Sequence, residues 1–279
     1  MTKSQYLERP EGRIAYDVRG EGPLVVCLPG MGDVRFSYRV LAAQLADGGY
    51  RVATIDLRGH GESDTTFTCY DDVAAGQDAL ALVEHLADTA GDHPGGGAPA
   101  VLVGNSMSAG AAVWAAAERP DLVQGLVLTG PFVRDLPVSV VQKLMLSLAL
   151  RRPWGATAWL AYWKSLYPTA RPADLAEHRD RIAAGLRRPG GWAAFKATTA
   201  TTHEPAHARL GDVHVPTLVV MGTKDPDFPD PAAEAAFVAG ALGGEVLLVE
   251  GAGHYPHAEM PDRVVPAVQA LLRRATTRA

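Results

Sequence analysis

Cysteine is scarce: the 279-residue chain has two, Cys27 and Cys69. Cys27 stands inside an apolar run, where a buried free thiol is expected rather than a disulfide. Long apolar runs are missing as well. The N-terminus, from Met1 to Arg9, has no stretch of the signal-peptide kind, and no run approaches the roughly 20 residues of a membrane span. A soluble, cytoplasmic protein with no membrane partner is the expectation. Nor is there an excess of one charge. The formal net charge is -5 with acidic and basic residues interspersed, and only Arg273, Arg274 and Arg278 form a locally basic tail. That excludes the electrostatic footprint of a nucleic-acid binder. No Cys/His cluster has metal-ligand spacing, and no glycine-rich loop fits phosphate or dinucleotide binding. Neither a metal nor a cofactor is implied.

Apolar residues, by contrast, make up 47% of the chain, enough for a sizeable core. They fall into short runs separated by helical spacing. Arg13 to Val18 alternates like a half-exposed strand, and Leu24 to Leu28 is continuous, like a strand covered on both faces. A helix with Val40, Leu41 and Leu45 on one side stops at Gly48-Gly49. Arg51 to Ile55 is a further strand and Val73 to Leu86 a further helix, followed by a flexible loop at Gly91 to Pro99. Gly125 to Thr129, Pro216 to Met221 and Glu245 to Val249 continue the strands, with helices from Pro231 and from about Asp262. Such alternation predicts an α/β fold with a mostly parallel central sheet covered by helices on both faces. Ligand sites in these sheets lie off the C-terminal strand ends, so loops at Pro29, Asp56 and Ser106 are expected to share one cleft.

Between Leu136 and Leu210 the strands give way to helical spacing punctuated by prolines. This predicts a helical cap over 133–210, inserted into a core formed by 1–132 and 211–279. The segment carries Trp154, Trp159, Tyr162, Trp163, Tyr167, Trp192 and Phe195. Most of these rings are expected to form the cap's own core, and one or two to face the cleft.

The centre of the chain is Val101-Leu102-Val103-Gly104-Asn105-Ser106-Met107-Ser108-Ala109-Gly110, followed by an Ala-rich helical pattern. Strand, sharp turn, helix is the setting of a G-x-S-x-G nucleophile elbow. Gly104 keeps the pattern; Ser108 replaces its last glycine. A serine hydroxyl becomes a nucleophile only when a base removes its proton, and the base needs a carboxylate to fix its tautomer. Asp225 and His254 stand on later strand-end loops, in the order Ser, Asp, His.

These motifs resemble the α/β-hydrolase family over almost the whole chain. Gly222-Thr223-Lys224-Asp225 is similar to the family's acid loop and Gly251-Ala252-Gly253-His254 to its histidine loop. Asp56-Leu57-Arg58-Gly59-His60-Gly61-Glu62-Ser63 is similar to its D-x-R-G-x-G-x-S turn. The resemblance implies Ser106 as nucleophile, His254 as general base and acid, and Asp225 as orienting acid. It implies an oxyanion hole from the backbone N–H groups of Met31 and Met107, although Pro29 stands where the family usually has histidine. Asp227 and Asp135 are alternative acids. His60 reads as structural, His257 as helping to start the last helix, and Lys224 and Glu259 as solvated.

The function implied is esterase-like: a carboxylic ester, lactone or thioester of a small, partly hydrophobic molecule, cleaved through an acyl-enzyme on Ser106. Two alternatives use the same triad. Gly104-Asn105-Ser106-Met107 resembles the elbow of hydrolases that cleave carbon–carbon bonds in ring-opened aromatic diketones, and the acyl group could also pass to an alcohol or amine. From another class, a non-catalytic small-molecule receptor on the same fold would bind without turnover.

Overall fold

The computed structural model describes residues 4–88, 99–137 and 139–276. The expected loop at 91–99 falls outside them except for Pro99, as does Arg278 of the basic tail.

The first strand, β1 (Gln5–Arg9), was not expected as one; a single buried residue, Leu7, gives it almost no apolar signal. It pairs antiparallel with β2 (Gly12–Arg19), which pairs antiparallel with β4 (Arg51–Ile55). All remaining pairings are parallel, giving the order β1-β2-β4-β3-β5-β6-β7-β8, with β3 (Leu24–Leu28), β5 (Ala100–Asn105), β6 (Val123–Thr129), β7 (Thr217–Gly222) and β8 (Glu245–Val249). The half-exposed reading of β2 fails at its middle, where Ile14, Ala15 and Tyr16 are all buried. Sandwiched between two neighbours and covered by helix, that stretch has no solvent face.

Successive side chains of a strand point to opposite faces, and the central strands show what that alternation buries. Leu24, Val26 and Leu28 join one apolar cluster with α2 (Asp72–Asp88), α3 (Ser108–Glu118) and α9 (Pro231–Leu242). Val25 and Cys27 join the other with α1 (Arg39–Asp47) and α11 (Pro261–Thr276). The Cys27 thiol is free and its pKa is pushed up by complete burial. Both faces of the sheet are therefore covered by helix, as the continuous apolar runs require.

Between β6 and β7 lie α4 (Val140–Ala149), α5 (Gly155–Ser165), α6 (Leu175–Arg187), α7 (Gly191–Thr198) and α8 (Glu204–His207). This insertion has its own apolar cluster. Trp159, Trp163, Tyr167, Trp192 and Phe195 pack there against Val34 and Tyr255, which the sheet's own loops supply. Trp154 is exposed instead. A buried side-chain pair at hydrogen-bond distance also joins the two layers: His178 Nε2 of α6 lies 2.5 Å from Asp33 Oδ1 in the loop after β3, both wholly buried. Among the described residues no helix is long and apolar enough to cross a membrane.

Candidate active site

At the end of β5 the chain passes into Ser106 with φ 57, the only non-glycine backbone in the left-handed region among the described residues. A side chain there costs roughly 1–3 kcal/mol and persists only when its surroundings fix it. They do. Ser106 N–H donates to the Thr129 carbonyl (3.0 Å), and the Ser106 carbonyl accepts from the N–H groups of Ala109 (3.0 Å) and Phe132 (3.2 Å). Gly104 is required by close approach, because a Cβ on it would overlap the Ser108 carbonyl.

Ser108, the departure from the elbow pattern, is buried, and its hydroxyl donates to the carbonyl of Pro29 at 2.5 Å. Pro29 is the other departure. The two unusual residues thus meet, and the bond ties the first turn of α3 to the loop that carries Met31. Met31 and Met107 both line the same cavity as Ser106, and no turn or loop hydrogen bond among the described residues uses either backbone N–H.

His254 follows β8, and its ring joins that cavity with Nδ1 2.8 Å from Asp225 Oδ2. With Asp225 ionised, Nδ1–H donates and Nε2 is left for a proton from outside. Asp225 is buried, and its Oδ1 accepts the N–H of Asp227 at 3.0 Å. Asp227 Oδ2 lies farther from His254 Nδ1, at 3.5 Å, and its Oδ1 accepts the Tyr162 hydroxyl from α5. The geometry therefore favours Asp225 over Asp227 as the partner of His254. Asp135 serves another loop, accepting from the His203 N–H (2.8 Å) and the Thr202 hydroxyl. Donor atoms of Asp225, Asp227 and His254 lie within 4.8 Å of one another, so the same trio could also close on one cation.

Burial alone would lower the His254 pKa, but the two neighbouring carboxylates outweigh it and raise the pKa to about 9. The resting imidazole is thus held largely as the cation near neutral pH.

Several supporting residues carried no sequence signal. Asn105 Nδ2 donates to the Thr129 carbonyl, the Thr129 hydroxyl and the His254 carbonyl, bracing the histidine loop from the strand beside the serine. Glu259, expected to be solvated, is buried: one oxygen accepts from Gly253 N–H (2.6 Å), the other from Thr169 and Ala170. It clamps the histidine loop to the insertion. His257 does not start the last helix. It lies in a separate turn, α10 (Pro256–Glu259), stacked on Tyr38 at 4.6 Å, and burial lowers its pKa to about 3. His60 is structural as expected, its Nδ1 2.8 Å from the Arg58 carbonyl.

The shared cleft needs one correction. The cavity at Ser106, about 380 Å³, takes in Met31 and Met107 but no residue of the Asp56 turn. Asp56 accepts from Arg35 and Glu62 backbone N–H groups and faces a different hollow, beside Arg35 and Arg188. Over the cavity at Ser106 stand Leu146, Leu150, Trp159 and Tyr162 of the insertion, so two of its aromatic rings face the site.

Residues 25–267 match the model of the "Alpha/beta hydrolase family". A 2-(acetamidomethylene)succinate hydrolase from Mesorhizobium japonicum is 29% identical over 270 residues, covering 92% of this chain and 91% of that protein. A 3-oxoadipate enol-lactonase from Acinetobacter baylyi is 23% identical, covering 81% of this chain and 79% of its own. The solved structure of an esterase from Exiguobacterium antarcticum superposes with a TM-score of 0.81 at 18% identity, over 97% of this chain and 100% of that one; at that identity it speaks to the fold alone.

Proposed function

The chain belongs to the alpha/beta hydrolase family and is a hydrolase, and from that premise we propose that it is a serine hydrolase acting on a carboxylic ester, lactone or thioester. The carrying observation is the pairing at one cavity of a strained, elbow-held Ser106 with His254, itself bonded to a buried Asp225. Relatives whose names specify a hydrolase and a lactonase are consistent with it.

In this reading His254 Nε2 takes the Ser106 proton as Oγ attacks the carbonyl carbon. The oxygen of the tetrahedral intermediate accepts from the Met107 and Met31 N–H groups. His254 then passes its proton to the leaving group, and water activated by the same nitrogen releases the acid from the acyl-enzyme. Asp225 keeps Nδ1–H pointed away from the reaction and steadies the imidazolium. The insertion over 133–210 acts as a cap, and its apolar wall admits the hydrophobic part of a small substrate.

Kinetics on p-nitrophenyl acetate, butyrate and hexanoate test this. Ser106→Ala and His254→Ala are expected to lower kcat by about 10⁴-fold or more, and Asp225→Asn by a similar order. A folded Ser106→Ala variant with wild-type turnover would remove the serine mechanism. Tight ligand binding without any turnover would point to a receptor instead.

A further inference from the structure

A second histidine–aspartate pair lines the same cavity. His203 stands just before α8 with its side chain 16% exposed, and its Nδ1 lies 2.9 Å from Asp72 Oδ2. Asp72 opens α2 and is wholly buried. The backbone around His203 is fixed separately, because Asp135 accepts its N–H at 2.8 Å and the neighbouring Thr202 hydroxyl. The rings of His203 and His254 pack against one Phe132 ring, at centroid distances of 5.7 and 6.1 Å. With Nδ1 taken by Asp72, Nε2 is the nitrogen His203 has left to offer.

The rest of the wall gives this pair its meaning. Among the described residues the cavity lining includes no lysine or arginine, and its one carboxylate, Asp227, is engaged by His254 and Tyr162. Apart from His254, therefore, His203 is the one lining side chain able to carry positive charge. A cation in an apolar wall is costly unless a buried partner compensates it, and Asp72 is that partner. Burial works against protonation of His203, but the hydrogen bond and charge of Asp72 overcome it and raise its pKa.

The geometry points to His203, held by Asp72, as the anchor for a single carboxylate on the substrate, remote from the bond that is cut. The preferred substrate would then be amphipathic: an ester or lactone with an apolar body and one acidic terminus. This rests on the serine-hydrolase reading and deepens it by naming the substrate class. His203 Nε2–H would donate to a carboxylate oxygen, while the scissile carbonyl lies at Ser106.

The test is a pair of esters that share a six-carbon acyl chain, p-nitrophenyl hexanoate and mono-p-nitrophenyl adipate, which differ in a terminal carboxylate. The quantity read is the ratio of kcat/KM for adipate to that for hexanoate. Wild-type enzyme is expected to have a ratio above one. In His203→Gln, checked for folding by circular dichroism, the ratio is expected to fall about tenfold through KM of the adipate ester, as loss of a charged hydrogen bond requires. His203→Arg, which keeps a cation, is expected to retain most of it. A wild-type ratio of one or less, or a fall of less than about threefold in His203→Gln, overturns the proposal. Ser106→Ala run alongside separates the two readings. If it abolishes hydrolysis of both esters while the ratio is indifferent to His203, only the anchor fails; if hydrolysis survives, the serine mechanism itself fails.

Discussion

Replacing Asp227 by asparagine should make the enzyme faster at neutral pH. His254 can accept the Ser106 proton only when Nε2 is unprotonated, yet Asp225 and Asp227 together raise its pKa to about 9. At pH 7 a group with that pKa is free in only about one molecule in a hundred. Wild-type kcat/KM should therefore climb about tenfold per pH unit before levelling near pH 9. Asp227 stands 3.5 Å from Nδ1 with 17% of its side chain exposed, so solvent weakens but does not erase its pull. Removing that charge should lower the His254 pKa and raise kcat/KM at pH 7 several-fold, toward about tenfold. The alkaline plateau should fall much less, because Asp225 still holds the tautomer at 2.8 Å. The assay is a pH–rate profile on p-nitrophenyl butyrate from pH 5.5 to 10. An acidic limb that stays in place or moves upward refutes the electrostatic argument. A loss of about 10⁴ at every pH would instead identify Asp227 as the orienting acid.

Other perturbations have equally definite outcomes. Ser108→Ala removes the bond to the Pro29 carbonyl and should lower stability by about 1 kcal/mol. It should also reduce kcat several-fold with little change in KM, since the loop bearing Met31 loses its tie; unchanged kcat would detach that loop from catalysis. Asp33→Ala leaves His178 buried without its partner and should cost about 1–3 kcal/mol in urea unfolding; a cost near zero would mean that the pair does not hold the insertion to the sheet. Gly104→Val should leave little folded protein, because its side chain must occupy the place of the Ser108 carbonyl; a soluble, active variant would contradict the elbow packing.

What the sequence made legible followed local physics. Leu24 to Leu28 and Val101 to Val103 are continuous apolar runs, and they became central parallel strands buried on both faces. Ser106, Asp225 and His254 were readable because each follows a strand, in loops with small residues beside them. β1 was invisible because Gln5, Tyr6 and Glu8 face solvent and leave Leu7 alone to signal a strand. Glu259 read as solvated and His257 as starting the last helix, yet both are buried by partners on distant segments: Thr169 and Ala170 for one, Tyr38 for the other. The His203–Asp72 pair joins positions 131 residues apart, so no spacing rule could have found it. The Asp56 turn was placed at the right strand end, but Asp56 itself accepts from the Arg35 and Glu62 N–H groups and lines the hollow beside Arg35, not the cavity at Ser106.

The most direct test of the central claim is covalent labelling with a fluorophosphonate, followed by peptide mass spectrometry. An activated serine at the elbow predicts one adduct, on the peptide carrying Ser106, lost in Ser106→Ala and His254→Ala and forming faster as pH rises toward 9. An adduct on another residue, or labelling at full rate without His254, would contradict the account.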